Sequence, residues 1–371
     1  MKITAIEAVP LAIPLKPMTP PSPWTGGTRK QIYVLVHTDE GVTGLGEAFA
    51  YGAPLAVVSV IEESLAPLLV GRDPLAIEAA VDVMHRGTMI YGRRGLAMFA
   101  ISGIEIALWD LLGKVRNAPV CELLGGALRP RMPAYASLMR YETPEAVAEA
   151  CRYFVARGFR MLKLHQIDVP SVRAARDAVG PDVELMLDTN CPWTPYEAVA
   201  MARALEPYRL FWLEEPVWPP EDYAGLARVA AATATPIALG ENESTLHGFS
   251  EIVRQRAGDV LQPSVTKVGG ISEFRKIGAL AQAANLPIAP HSFYFGPGLA
   301  ATLHVAATLG GPLPVEFPTG EHETPFLTRP IQARDGWVEV PRGPGLGVEI
   351  NPEAIRRHPF VKNTAKPFVL T

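Results

Sequence analysis

The feature that most constrains this 371-residue chain is a repeating texture that begins near Met132. Eight short apolar runs follow one another, ending at about Ser137, His165, Asp188, Glu214, Gly240, Ser264, His291 and Glu316. Helix-period segments lie between them, such as Thr143 to Arg157, Pro195 to Leu205 and Ser272 to Ala284. A spacing of roughly 23–28 residues is what strand–helix units of a closed parallel barrel produce. A doubly wound open sheet shares that periodicity, so the position of the polar residues has to decide, and it favours the barrel.

A barrel of this kind needs roughly 250 residues, which leaves enough chain for a second domain of ordinary size. With 48% hydrophobic and 19% charged residues, the chain has ample material for a large core. The spare residues lie mainly at the N-terminus. Residues 1 to about 60 read as an antiparallel meander, in which Gln31 to Thr38 alternates and is closed by the turn Asp39-Glu40-Gly41. A Pro/Gly-rich stretch from Pro14 to Thr28, containing Trp24, has little to bury and reads as a mobile loop. Helical patterns occupy about 54–70, 75–86 and 94–117, giving an α+β domain ahead of the barrel. The tail, Gly336 to Val340 followed by Gly343 to Gly347, looks like a short hairpin expected to return to the N-terminal domain.

A formal charge of −4 gives no electrostatic reason to expect a nucleic-acid or membrane partner. Cys121, Cys151 and Cys191 have no CxxC spacing, so neither a disulfide framework nor a zinc site follows from them. Met1 to Ala5 alternates like a strand and has no signal-peptide apolar region. No apolar run reaches the roughly 18 residues of a membrane span. The expectation is a soluble cytoplasmic protein.

The ends of the strand-like runs carry the chemistry. The third run ends Met186-Leu187-Asp188-Thr189-Asn190, the fourth Trp212-Leu213-Glu214-Glu215-Pro216, and the fifth Leu239-Gly240-Glu241-Asn242. Three successive units therefore deliver an acid at the C-terminal end of the strand, where barrel active sites are built. One such acid alone would more often be a helix-cap partner or a solvated loop residue. Three carboxylates aimed at one place repel one another, and a hard divalent cation resolves the conflict. An all-oxygen ligand set without Cys or His favours Mg2+.

Basic groups come from other strand ends. The second run ends Met161-Leu162-Lys163-Leu164-His165, and residues i and i+2 of a strand share a side. Lys163 and His165 should therefore both face the mouth, with Leu162 and Leu164 facing the helices. Lys163 is placed to bind a substrate carboxylate, and its charge would disfavour the imidazolium form of His165, leaving a proton acceptor. The seventh run brings a second imidazole, His291, and the eighth brings Glu316, which held protonated could donate a hydrogen bond to a developing oxyanion. Taken singly, a strand-end His is more often a loop hydrogen-bonder and Lys163 could be a surface cation. His85, His304 and His358 are left to structural roles.

The stretch Ala100-Ile101-Ser102-Gly103-Ile104-Glu105-Ile106-Ala107-Leu108-Trp109-Asp110-Leu111-Leu112-Gly113-Lys114, continuing to Pro119-Val120 and Leu123-Leu124-Gly125, resembles the long-helix signature of the mandelate racemase and muconate-lactonizing family of the enolase superfamily. The resemblance covers essentially the whole chain. It implies a (β/α)7β TIM-type barrel over 127–320, an α+β capping domain over 1–126, and a C-terminal segment, 321–371, that returns to the cap. It implies that Asp188, Glu214 and Glu241 hold magnesium, with Asn190 beside them at the substrate. Lys163 matches the first lysine of the family's Lys-x-Lys motif, Glu316 its acid after the last strand, and Lys267 a lysine near the site. Loops around Lys16 to Arg29 and Phe49 to Tyr51 would close over the substrate.

Two positions depart from the family pattern. The second lysine of Lys-x-Lys is His165, and the strand-six aspartate that pairs with the strand-seven histidine is Ser264. A lysine at that position, as in the muconate-lactonizing branch, is also absent. Without the aspartate, His291 lacks the usual group that fixes its tautomer and stabilises its imidazolium form, and Ser264 could accept one hydrogen bond with no charge to offer.

The expected function is Mg-dependent removal of the proton next to a carboxylate through an enediolate. The first choice is dehydration of a sugar acid or related hydroxy acid to a 2-keto acid, a lyase reaction suited to two imidazoles. The runner-up is racemisation, epimerisation or cycloisomerisation of a carboxylate through the same intermediate, which needs a competent acid/base on each face. A Schiff base through Lys163 leaves the three acids without a role, and a metal-binding protein without catalysis is the remaining alternative. The expected partner is a small-molecule carboxylate, and the chain is expected to form a homo-oligomer. Substrate selection would lie around Trp24, Arg29 and Tyr51.

Overall fold

The computed structural model describes residues 1–18, 20, 22, 27–311 and 314–362. Trp24, within the Pro/Gly-rich stretch, and residues 363–371 lie outside the described residues.

Strands β1 (Ile3–Pro14), β2 (Thr28–Thr38) and β3 (Thr43–Ala48) pair antiparallel in that order. Alternation along β2 divides its side chains between two covered faces. Ile32, Val34 and Val36 pack with the long helix Leu96–Arg116, whereas Tyr33 joins Leu11, Ile13, Leu45, Phe326 and Ala354 on the other face. The C-terminal chain supplies that second cover. Tyr33 Oη donates to the Phe326 carbonyl at 2.5 Å, and the Ala12 and Phe360 amides donate to His358 and Pro10 at 3.0 and 2.9 Å. The helix approaches the sheet closely because Gly46 lies against it: a Cβ there would sit 2.1 Å from the Gly103 carbonyl oxygen.

Parallel strands β4 (Arg131–Ser137), β5 (Met161–Leu164), β6 (Glu184–Asp188), β7 (Trp212–Glu214), β8 (Ile237–Leu239) and β9 (Val260–Leu261) follow one another as neighbours. β10 (Val315–Pro318) pairs parallel with β4 and closes the ring. The seventh barrel position, expected as a strand over 288–291, is reduced to isolated bridges of Ile288 with Leu261 and of His291 with Ser264. Pro287 and Pro290 have no amide to give to a ladder. Ser292 spans the remaining gap by donating from its amide to Glu316 Oε2 at 2.8 Å and from its hydroxyl to the Glu316 carbonyl at 2.6 Å.

Period-two alternation also sorts the barrel contents. Tyr135, Met186, Trp212, Ala238, Val260 and Ala289 form an interior apolar layer, and Leu162, Leu164, Leu185, Leu187 and Leu213 pack outward against the helices. Two residues beyond Tyr135, Met186, Trp212 and Ala289 come Ser137, Asp188, Glu214 and His291, all buried. The interior is therefore apolar below and polar at the C-terminal mouth.

Helix Leu96–Arg116 joins cap and barrel. Glu105 accepts from the Ile271 and Ser272 amides at 2.6 and 2.8 Å, capping helix Ile271–Ala283, and Asp110 accepts from the Leu45 and Leu346 amides, both at 2.8 Å. By length and composition this helix could cross a membrane, yet 78% of its apolar window is buried inside the protein.

The structure differs from the sequence expectation at two further elements. The 54–70 helix is interrupted by a π-helical turn over Val60–Leu65. The tail hairpin, β11 (Ala333–Arg334) with β12 (Trp337–Glu339), pairs with the N-terminal end of β4, Arg131 to Pro133, ahead of the stretch that β10 takes, and not with the N-terminal sheet. The flanking segments, Phe326 and Ala354 to Phe360, make the contacts with the cap.

Candidate active site

The mouth of the barrel gathers the residues expected from the strand ends. Asp188 and Glu214 are direct neighbours in the β6–β7 register. With Glu241, which follows β8, they present ligand atoms that lie within 4.8 Å of one another. Asp188 Oδ2 is buried and faces Lys163 Nζ at 3.2 Å and His165 Nε2 at 3.3 Å. Three converging carboxylates with no Cys or His among them fit a hard divalent cation.

Lys163 is 1% exposed and stands among acids. Its Nζ lies 2.9 Å from Glu214 Oε1, 2.9 Å from Glu316 Oε1 and 3.2 Å from Asp188 Oδ2. Burial would favour the neutral amine, but Glu214, Glu316 and Asp188 hold its pKa well above the usual lysine range. The same cation acts on the acids unequally. Burial and the neighbouring Asp188 push Glu214 well above the carboxylate range, whereas Lys163 and His165 overcome the burial of Asp188 and hold it below.

Glu316 requires a correction. A protonated carboxyl was expected, but Glu316 accepts hydrogen bonds from Lys163 and from the Ser292 amide. Against its burial, Lys163 and His291 pull it down to about 2, so it is an ionised acceptor.

His165 lies two residues beyond Lys163 on the same side. Its Nδ1 meets the Leu138 carbonyl at 2.5 Å, which leaves Nε2 facing the site, 3.3 Å from Asp188 Oδ2. The expectation placed His165 in the field of Lys163. The structure sets a carboxylate against it and engages Lys163 with three acids.

His291 approaches from the opposite side of the mouth. Its Nε2 lies 3.5 Å from Glu241 and 3.7 Å from Glu316, and its Nδ1 lies 3.1 Å from Ser264 Oγ. Burial pushes this imidazole down to about 4 despite the two acids.

Several supporting residues have no signal in strand-end spacing. The buried Trp212 donates its indole N–H to Glu214 Oε2 at 2.9 Å. Tyr294 Oη meets both Ser264 Oγ and His291 Nδ1, the latter at 3.4 Å. Glu215 accepts from the Asn242 amide group at 2.7 Å, tying down the chain beside Glu241. Asn190 donates from Nδ2 and its backbone amide to Asp188 Oδ1 at 2.9 and 3.0 Å, so its amide group supports Asp188 while its Oδ1 has no hydrogen bond among the described residues. Lys267 pairs with Glu241 Oε1 at 2.7 Å and lies over the Phe49 ring at 4.3 Å.

The cap reaches the same mouth. Phe49 packs edge-on against Tyr294 and stacks with Tyr51, which is 50% exposed. Arg29 donates to the Phe293 carbonyl at 2.5 Å and lies over the Phe293 and Phe295 rings. Arg140 donates from Nε to the His165 carbonyl at 2.8 Å, at the rim beside the site.

Two family descriptions match the chain over these regions: "Mandelate racemase / muconate lactonizing enzyme, N-terminal domain" over residues 6–125, and "Enolase C-terminal domain-like" over residues 145–354. The chain belongs to the mandelate racemase/muconate lactonizing enzyme family of the enolase superfamily. Among similar members of this family is arabinonate dehydratase of Saccharolobus solfataricus, 37% identical over 85% of this chain and 87% of that protein. D-galactarolactone cycloisomerase of Agrobacterium fabrum is 34% identical over 96% and 98%. The crystal structure of 3,6-anhydro-D-galactonate cycloisomerase from Zobellia galactanivorans superposes with a TM-score of 0.87 at 32% identity, covering 97% of this chain and 100% of that one. These family relationships agree with the capped TIM-barrel architecture.

Proposed function

We propose that this enzyme removes the proton next to the carboxylate of a sugar acid or related hydroxy acid and expels the neighbouring hydroxyl, giving a 2-keto acid. The observation that carries this reading is the placement of two imidazoles, His165 and His291, on opposite sides of one carboxylate cluster. Relatives named as arabinonate, D-mannonate and D-xylonate dehydratases support it.

In this reading Asp188, Glu214 and Glu241 hold magnesium, which when bound supplies positive charge to the substrate carboxylate as negative charge builds on it. Lys163 adds a fixed cation beside the same oxygens. His165, oriented by the Leu138 carbonyl, takes the α-proton at Nε2. His291, on the other face, donates a hydrogen bond to the departing hydroxyl, which leaves as water by combining with the proton taken by His165, and the enol left behind ketonises to the 2-keto acid. Glu316 keeps Lys163 charged and in place. Asn190 orients Asp188 and offers its Oδ1 to a substrate hydroxyl. In the same reading residues 1–126 are the cap, 127–320 the catalytic barrel, and 321–371 a C-terminal segment returning to the cap, a return supported by the contacts of Phe326 and Phe360 with the cap sheet. A protonated Lys163 is a poor Schiff-base nucleophile, which counts against an aldolase reading. The partner is a small-molecule carboxylate, in keeping with the sugar-acid and lactone names of the relatives. A cytoplasmic homo-oligomer belongs to the same reading.

Cycloisomerisation is the second reading, favoured by the two cycloisomerase relatives. Incubating a panel of acid sugars and their lactones with magnesium, and assaying for 2-keto acid, separates the two. Keto-acid product from at least one acid sugar is expected. Lactone isomerisation without any keto acid would replace the first reading by the second.

A further inference from the structure

Ser264 stands where the family pattern has an acidic partner for the strand-seven histidine, and the structure shows what surrounds that histidine in its place. The bridge between Ser264 and His291 sets the two side chains next to each other. Ser264 Oγ lies 3.1 Å from His291 Nδ1, and Tyr294 Oη lies against Ser264 Oγ and 3.4 Å from the same nitrogen. Ser264 is fully buried, Tyr294 is 1% exposed and His291 5%. We propose that Tyr294 and Ser264 form a neutral hydroxyl relay that holds His291 as the tautomer with hydrogen on Nε2, making it a hydrogen-bond donor towards the substrate.

The direction of the relay follows from the other face of the ring. Nε2 lies 3.5 Å from Glu241 and 3.7 Å from Glu316. Both acids are paired with lysines, Glu241 with Lys267 at 2.7 Å and Glu316 with Lys163 at 2.9 Å. His165 Nδ1 is fixed by a backbone carbonyl, whereas His291 Nδ1 meets two hydroxyls, so the proton order is decided by the hydroxyls together with Glu316, whose carboxylate beside Nε2 modestly favours an N–H over a bare lone pair. Nδ1 must then accept. Ser264 has one proton to give to Nδ1, and Tyr294 has one to give to Ser264, so every hydroxyl in the chain is used once. An aspartate at 264 would impose the opposite order, because a carboxylate can only accept and would draw the hydrogen to Nδ1. Nε2 would then be a base. Serine thus changes the function of this face from proton acceptor to donor, which suits a reaction that needs one base and one donor. In this arrangement Ser264 and Tyr294 are positioning residues.

The inference rests on the proposed role of His291, but its decisive readout needs neither substrate nor metal. In protein labelled with 15N-histidine at mildly alkaline pH, the His291 signals are identified by their loss in His291→Asn. The parent should show an unprotonated Nδ1 and a protonated Nε2. Ser264→Ala and Tyr294→Phe should each move both nitrogens towards tautomer-averaged shifts, and Ser264→Asp should exchange them. The conservative Ser264→Thr should keep the parent pattern. A protonated Nδ1 in the parent, or unmoved signals in either of the first two variants, would overturn the relay. Once a substrate is in hand, Tyr294→Phe should lower kcat roughly tenfold with KM unchanged. A loss of turnover with an intact parent tautomer pattern would count against the proposed reaction and leave the relay standing.

Discussion

The indole N–H of Trp212 donates to Glu214 Oε2 at 2.9 Å from two residues earlier on the same strand. One strand thus supplies both a carboxylate of the proposed metal site and the group that fixes one of its oxygens. Orienting hydrogen bonds of this kind are worth about 10–100-fold in metal affinity. Trp212→Phe keeps most of the buried ring volume and removes the donor. Calorimetry should show magnesium affinity lowered about tenfold, at the weak end of that range. Unchanged affinity would mean that Glu214 needs no help from the indole.

Lys163 is the shared cation of Asp188, Glu214 and Glu316. Lys163→Met leaves those buried acids uncompensated, a change that costs on the order of 3–5 kcal/mol. Thermal unfolding in chelator should show a clear drop in Tm, and magnesium should recover part of it by restoring positive charge near Asp188 and Glu214. A Tm in chelator equal to that of the parent would show that the acids are accommodated without the lysine.

His304 gives a pH prediction away from the site. Its Nδ1 accepts from the Cys121 amide at 3.2 Å and its Nε2 donates to the Leu346 carbonyl at 3.1 Å, fastening helix Pro297–Ala307 to the cap and the tail. Burial lowers its pKa from 6.5 to about 4. As pH falls below 6.5 the unfolded chain takes up a proton that the folded protein refuses, so stability is lost down to about pH 4 and no further. The loss amounts to about 3 kcal/mol. His304→Gln lacks this titration. The parent's stability advantage over the variant should therefore shrink by about that amount between pH 7 and pH 4 in denaturant unfolding. A constant difference across that range would contradict the account.

The strand-end acids and Lys163 are legible in the sequence because the side-chain period of a strand is two and barrel strands place their last inward residue at the mouth. The same regularity explains the apolar layer of Met186, Trp212 and Ala289 beneath them. What the spacing does not reveal is long-range pairing. The ionisation of Glu316 depends on Lys163 reaching past β4, and the partner of Ser264 is a tyrosine thirty residues away in the chain. The hairpin at Trp337 joins another sheet than expected for a related reason: its alternation predicts a strand pair but does not name the strand it joins, which is the N-terminal end of β4.

The central claim, that His165 takes the α-proton while His291 serves the opposite face, is tested most directly by solvent deuterium exchange. With magnesium and a substrate or unreactive analogue in deuterium oxide, the α-carbon should exchange its proton in the parent. His291→Asn should keep that exchange while losing turnover, and His165→Asn should lose both. Exchange that survives without His165 and vanishes without His291 would contradict the account.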